Sequence, residues 1–213
     1  VAIGLSPFET DLLFYPEGVS LAFHNIAWLN IALWLPLQAV LGHFPGYSIL
    51  FISTFALNGF AMYLLARDWT GSRRAAFIAG LIYGFWPYTM SHTDHPNMIL
   101  ICWVPLALLY MRRTLEYGRK LDAVLGGVFV ALIGISRWQL LVMGGVIIGL
   151  YVLNRCLTEK ECRIRRSLGL LGLMGVVAVM LIAPVLAPVV SYQLTRSFPE
   201  DIAVAEPLSY GMD

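Results

Sequence analysis

Charge is what this chain has least of: 13% of its 213 residues are Asp, Glu, Lys or Arg, against about 25% in an ordinary soluble domain. With 59% hydrophobic residues beside it, that scarcity excludes a water-soluble globule. An excess of one sign is missing too. Fourteen Lys and Arg face thirteen Asp and Glu, for a net charge of +1, so there is no electrostatic footprint for nucleic acid. Cysteine is sparse: Cys102, Cys156 and Cys162 cannot pair completely and have no CxxC spacing, so neither a disulfide framework nor a thiolate zinc site is expected. No tandem repeat or low-complexity tract is present, and no basic segment followed by a short apolar core opens the chain. Beginning at Val1, the sequence reads as an internal fragment of a longer protein.

What is there in quantity is apolar sequence. A membrane-crossing helix needs about 20 mostly apolar residues, and six segments approach that length: Tyr47–Ala66, Ala75–Ser91, Asn97–Met111, Leu121–Ser136, Trp138–Leu153 and Leu168–Leu194. Lipid leaves an open chain no other means of satisfying its backbone polar groups, so all six are expected to be helical. Twelve of the fourteen basic residues fall in three groups, beginning at Arg67, Arg112 and Arg155, and these occupy alternate loops. The positive-inside bias therefore assigns them to the cytoplasmic side of an inner-membrane, multi-pass protein. Eight of the thirteen acids and all four histidines fall on the opposite side.

No Lys or Arg precedes Arg67, so residues 1–46 read as one extracytoplasmic segment. Within it Ile26–Leu41 forms a helix lying in or dipping into the interface; a seventh span is the competing reading. Residues 47–194 make the bundle, and 195–213 begin a second outer segment. The expected fold is all-α: a polytopic helical bundle of about six spans plus one interfacial or re-entrant helix. Gly126-Gly127, Gly144-Gly145, Gly169, Gly172 and Gly175 are expected to let helices approach closely. Pro87, Pro105, Pro184 and Pro188 are expected to kink or break their helices.

Three constellations could carry chemistry. The outer loop Ser91-His92-Thr93-Asp94-His95-Pro96-Asn97 packs two imidazoles and a carboxylate into four residues, a set suited to a divalent metal ion (His92, Asp94, His95) or to acid–base catalysis (Asp94, His95). The bland alternative is a loop that caps two helix ends. Arg137, in a tight connection with Trp138, breaks the basic-inside pattern. It could grip a phosphate through its planar fork while Trp138 meets a sugar or an apolar tail; alternatively it snorkels to headgroups. The stretch Thr10–Gly18, followed by His24, alternates aromatic, acidic and turn residues. It could line a sugar-binding groove with Glu17 and His24, or simply form an ordered loop around a Pro-Glu-Gly turn.

The order of FYPEG with a following His-Asn, Tyr63-Leu64-Leu65-Ala66-Arg67, Thr70-Gly71-Ser72-Arg73-Arg74-Ala75-Ala76, Phe85-Trp86-Pro87-Tyr88, a His-bearing loop and Trp103-Val104-Pro105-Leu106 resembles bacterial multi-span glycosyltransferases of the GT-C superfamily. The likeness covers most of residues 9–115. It implies a GT-C-like fold and hexosyl or pentosyl transfer from a polyprenyl-phosphate donor to an acceptor on the extracytoplasmic face. It also implies a lipid-linked sugar donor and membrane lipids as partners, and an outward acid at the position of Asp94. Such enzymes carry a further acid soon after their first span, and neither Asp11 nor Glu17 is a safe counterpart. A transporter or flippase of a lipid-linked or small polar substrate is the second reading. A membrane scaffold is the third.

Overall fold

The computed structural model describes residues 9–10, 12, 19–21, 27–93, 95–158 and 161–195, and the described chain is overwhelmingly helical. Two compact units divide it. The unit made of Val1–His24 and Ala183–Asp213 holds a minimal antiparallel pairing, β1 (Glu9–Thr10) with β2 (Val19–Ser20), in which Glu9 faces Ser20 and Thr10 faces Val19. The other unit, Asn25–Ile182, contains the helical bundle.

The bundle begins with α1 (Trp28–Leu41) and α2 (His43–Thr70), joined by Gly42 alone. Gly42 has φ +86°, a left-handed conformation that costs other residues a steric penalty. At 14 residues α1 is about 21 Å long, short of a hydrocarbon layer of about 30 Å. It packs back along the start of α2, so a Cβ on Gly46 would stand 2.9 Å from the backbone of Leu37 and Gln38. The 28-residue α2 ends at Gly71, whose left-handed conformation lets its N–H cap the Arg67 carbonyl at 2.9 Å. Ser72 then starts α3 (Arg73–Gly84) by accepting the Ala75 N–H at 3.3 Å.

Proline fragments the next two apolar segments. Pro87 lacks an N–H and holds Trp86 extended (φ −68°, ψ 159°), so Ala75–Ser91 divides into α3 and the short α4 (Pro87–Ser91). Asn97–Met111 likewise becomes α5 (Pro96–Ile99), a non-helical Leu100–Cys102, and α6 (Trp103–Tyr117). Then α7 (Lys120–Ser136) and α8 (Trp138–Thr158) meet at Arg137, the tight connection expected, and α9 (Glu161–Thr195) continues helical through Pro184 and Pro188.

Among the described residues, three stretches are long and apolar enough to cross a membrane: His43–Thr70, Trp138–Arg155 and Ser167–Ser191. By contrast α3, α6 and α7, with 12, 15 and 17 residues, reach only about 18, 22 and 25 Å. The all-α membrane bundle expected from the sequence is thus what the described residues form, with three long helices and shorter or interrupted ones between them.

Two contacts set the relative direction of α2 and α6. Asn58 meets the backbone at Ile99 and Ile101 just before α6, and ten residues later Asp68 meets Arg112 and Arg113. The two helices therefore run parallel, and α6 starts about 22 Å along α2. Glycine governs the closest packing, though not always where expected. A Cβ on Gly80 would lie 2.6 Å from the Gly59 carbonyl oxygen, and one on Gly127 would lie 2.5 Å from that of Met174. Gly145, Gly169, Gly172 and Gly175 face open space instead, so the close-approach expectation fails for them. Met111, Leu115, Ala123, Leu170 and Met174 form one buried cluster, and Ala61, Leu100 and Cys102 a second.

Candidate functional site

Ionic pairing concentrates at one end of the bundle. Asp68, with only 10% of its side chain exposed, holds both Arg112 and Arg113, the latter at 2.7 Å, and Arg112 also meets Glu116 at 2.8 Å. Arg112 additionally lies over the Trp69 ring at 5.9 Å, and Trp69 meets Tyr151 edge-on at 6.0 Å. Partial burial works against the charged form of Arg113. The hydrogen bond and charge of Asp68 outweigh it, so this guanidinium is held charged even more firmly than usual. Asp68 was not among the sequence candidates. A lone acid beside Arg67 at a helix end was the available signal.

The opposite end is arranged differently. His92 caps α4, its backbone N–H reaching the Tyr88 carbonyl at 3.2 Å. Its ring stacks on Tyr88 at 4.2 Å, and Nδ1 lies 2.9 Å from the same carbonyl oxygen and 3.0 Å from Ser91 Oγ. A carbonyl can only accept, so Nδ1 carries the proton and donates it to Tyr88. Nε2 has no hydrogen-bond partner among the described residues. His95 precedes α5, with its side chain exposed. Asp94 lies outside the described residues, as do Glu17 and His24. Among the described residues no three His, Cys, Asp or Glu side chains gather as a metal site.

Arg137 follows α7 in an extended conformation (φ −168°, ψ 128°), its N–H bonded to Ile133 at 2.9 Å. Its half-buried side chain makes one described contact, from Nε to Gln139 Oε1 at 3.1 Å. Because α7 leads back from the Asp68 end over 17 residues, Arg137 closes a helix about 25 Å long at the opposite end of the bundle. Trp138 is half-buried at the start of α8. No described hydrogen bond, ion pair or ring contact joins Arg137 to His92.

Two features of this end were not anticipated. Ser136 and Thr89 are fully buried, and their hydroxyls have no partner among the described residues. Between α1 and the start of α2 lies a cavity of about 400 Å³, walled by Ile31, Leu50, Trp34, Tyr47 and His43, with Ala27 and Asn30. Trp34 stands edge-on to His43 at 5.2 Å, and its buried indole N–H has no acceptor among the described residues.

A family model described as a predicted membrane protein (DUF2079) matches residues 6–201. No curated protein and no solved structure matches the chain.

Proposed function

The chain belongs to the DUF2079 family of predicted membrane proteins, and from that premise we propose that it is part of a multi-pass transferase moving a sugar from a polyprenyl phosphate to an acceptor. Arg137 carries the reading. It is a half-buried guanidinium whose described hydrogen-bond partner is a neutral amide, whereas Arg112 and Arg113 are engaged by carboxylates. A planar fork left open near a lipid boundary suits a lipid phosphate better than it suits structure alone. The motif order described above supplies the sugar.

In the proposed reaction an acceptor hydroxyl attacks the anomeric carbon. The bond from that carbon to the phosphate oxygen breaks, and polyprenyl phosphate departs as the anion. Asp94 takes the acceptor's proton, with His95 assisting it. Arg137 meets the charge that develops on the phosphate, while Trp138 lies against the sugar or first isoprene. The free Nε2 lone pair of His92 would hold a divalent ion alongside Asp94 and His95. Glu17 and His24 belong to the sugar-binding loop, and inner-membrane localisation with this chemistry on the outer face completes the proposal.

A transporter is the second reading, favoured by the interruption of α5 and α6 at the depth of Asn58, since broken helices at mid-depth recur where substrates cross. Sugar transfer by the full-length protein from a radiolabelled polyprenyl-phosphate donor separates the two. The transferase reading expects label on the acceptor and a loss of about 100-fold in turnover for Asp94→Asn. Movement of intact donor without bond cleavage supports transport, and unchanged turnover in Asp94→Asn removes that residue from the mechanism.

A further inference from the structure

The cations that Asp68 does not hold make a surface of their own. Arg67 lies in the last turn of α2, and Arg73 and Arg74 lie in the first turn of α3, with only Gly71 and Ser72 between the helices. All three are exposed, and none has a carboxylate partner among the described residues. Among the described residues, the acids at this end are already occupied or enclosed: Asp68 and Glu116 bind Arg112 and Arg113, and Asp122 is buried. Trp69 on the same turn is 57% exposed, as expected of an indole at a headgroup boundary.

One helical turn farther along α3, four residues past Arg73 and Arg74, come Phe77 and Ile78, 60% and 58% exposed. Residues four apart share a helix face. That face therefore presents guanidinium groups at its end and exposed apolar side chains one turn below them.

We propose that Arg67, Arg73 and Arg74 at the α2–α3 turn form a binding site for an anionic phospholipid of the adjacent leaflet, its phosphate on the arginines and an acyl chain along Phe77 and Ile78. Free phosphate would use the cations and leave the apolar strip unused. A zwitterionic lipid would use the strip and gain little from the arginines. The site is independent of any sugar-transfer chemistry at the other end.

The test is titration of the full chain, held in phosphatidylcholine nanodiscs, with phosphatidylglycerol, read by native mass spectrometry. The unaltered protein is expected to take up phosphatidylglycerol in preference to added phosphatidylcholine. R67Q/R73Q/R74Q is expected to lose about 100-fold in affinity, and R67K/R73K/R74K to keep most of it. Millimolar inorganic phosphate is expected not to displace the lipid. Equal uptake of both lipids, or displacement by phosphate, would overturn the proposal, as would undiminished binding in a helical triple-glutamine variant. If that variant loses its helicity, the lipid and phosphate comparisons on the unaltered protein decide.

Discussion

Asn58 donates its side-chain amide to the carbonyl of Ile99 at 2.7 Å, across 41 residues of sequence. Its carbonyl oxygen accepts the N–H of Ile101 at 3.1 Å, and the Tyr83 hydroxyl donates to the Ile101 carbonyl at 3.1 Å. Together these bonds take the place of the helical ones that Leu100–Cys102 forgo. Irregular backbone persists at membrane depth only where protein groups replace the missing bonds, and here one buried carboxamide supplies two of them.

Asn58→Leu is therefore expected to lower stability by about 1–2 kcal/mol, because the buried Ile99 carbonyl and Ile101 N–H lose the amide and keep only the tight bond between themselves at 3.0 Å. Unfolding followed by helicity in mixed micelles measures this. A change below about 0.5 kcal/mol would mean that the backbone finds other partners.

Asp68→Asn leaves Arg112 and Arg113 facing each other across a neutral amide. A loss of about 3 kcal/mol is expected, the scale seen when one member of a largely buried ion pair is removed. Arg67→Gln, an exposed cation one residue away, is expected to cost less than about 0.5 kcal/mol. Equal effects in the two variants would show that Asp68 has no special hold on α6.

Gly80→Val and Gly172→Val should separate sharply. A Cβ at position 80 stands 2.6 Å from backbone at Gly59, while one at position 172 meets nothing. The first is expected to cost about 1–3 kcal/mol through forced separation of α2 and α3, and the second close to nothing. Thermal unfolding of both in one detergent is the check.

Sidedness is open to direct labelling. His95 and Arg119 are both exposed, and in a background without native cysteines His95→Cys and Arg119→Cys should react with an impermeant thiol reagent from opposite compartments. Reaction from the same compartment would undo both the positive-inside assignment and the location proposed for Asp94.

Hydropathy made the helices legible, and α2 and α9 emerge where the two longest apolar runs, Tyr47–Ala66 and Leu168–Leu194, lie. The breaks were another matter. A window over Asn97–Met111 sees uniform apolarity, because the groups that permit Leu100–Cys102 to be non-helical, Asn58 and Tyr83, sit elsewhere in the chain. Asn58 was visible as a rare polar residue within a span, but its partner was backbone, which carries no residue-type signal. Arg112 and Arg113 were read as topological charges, and their convergence on Asp68 depends on α2 and α6 running parallel, which spacing does not reveal. At the candidate site, the tight turn at Arg137 was legible from its flanking apolar runs. The cavity beside Trp34 was not, since it exists only because Gly42 folds α1 back on α2.

The 28 residues of α2 make a rod of about 42 Å. Immersed entirely in a layer about 30 Å thick, such a rod would have to lean by roughly 45°, beyond the ordinary range of tilt. Part of it must instead stand clear of the acyl chains. The overhang would carry the Gly42 bend and the pocket beside it toward the headgroups, so bilayer thickness becomes a variable that sets how wet that pocket is. Thicker membranes would draw Trp34 and His43 into oil, and thinner ones would lift them toward water.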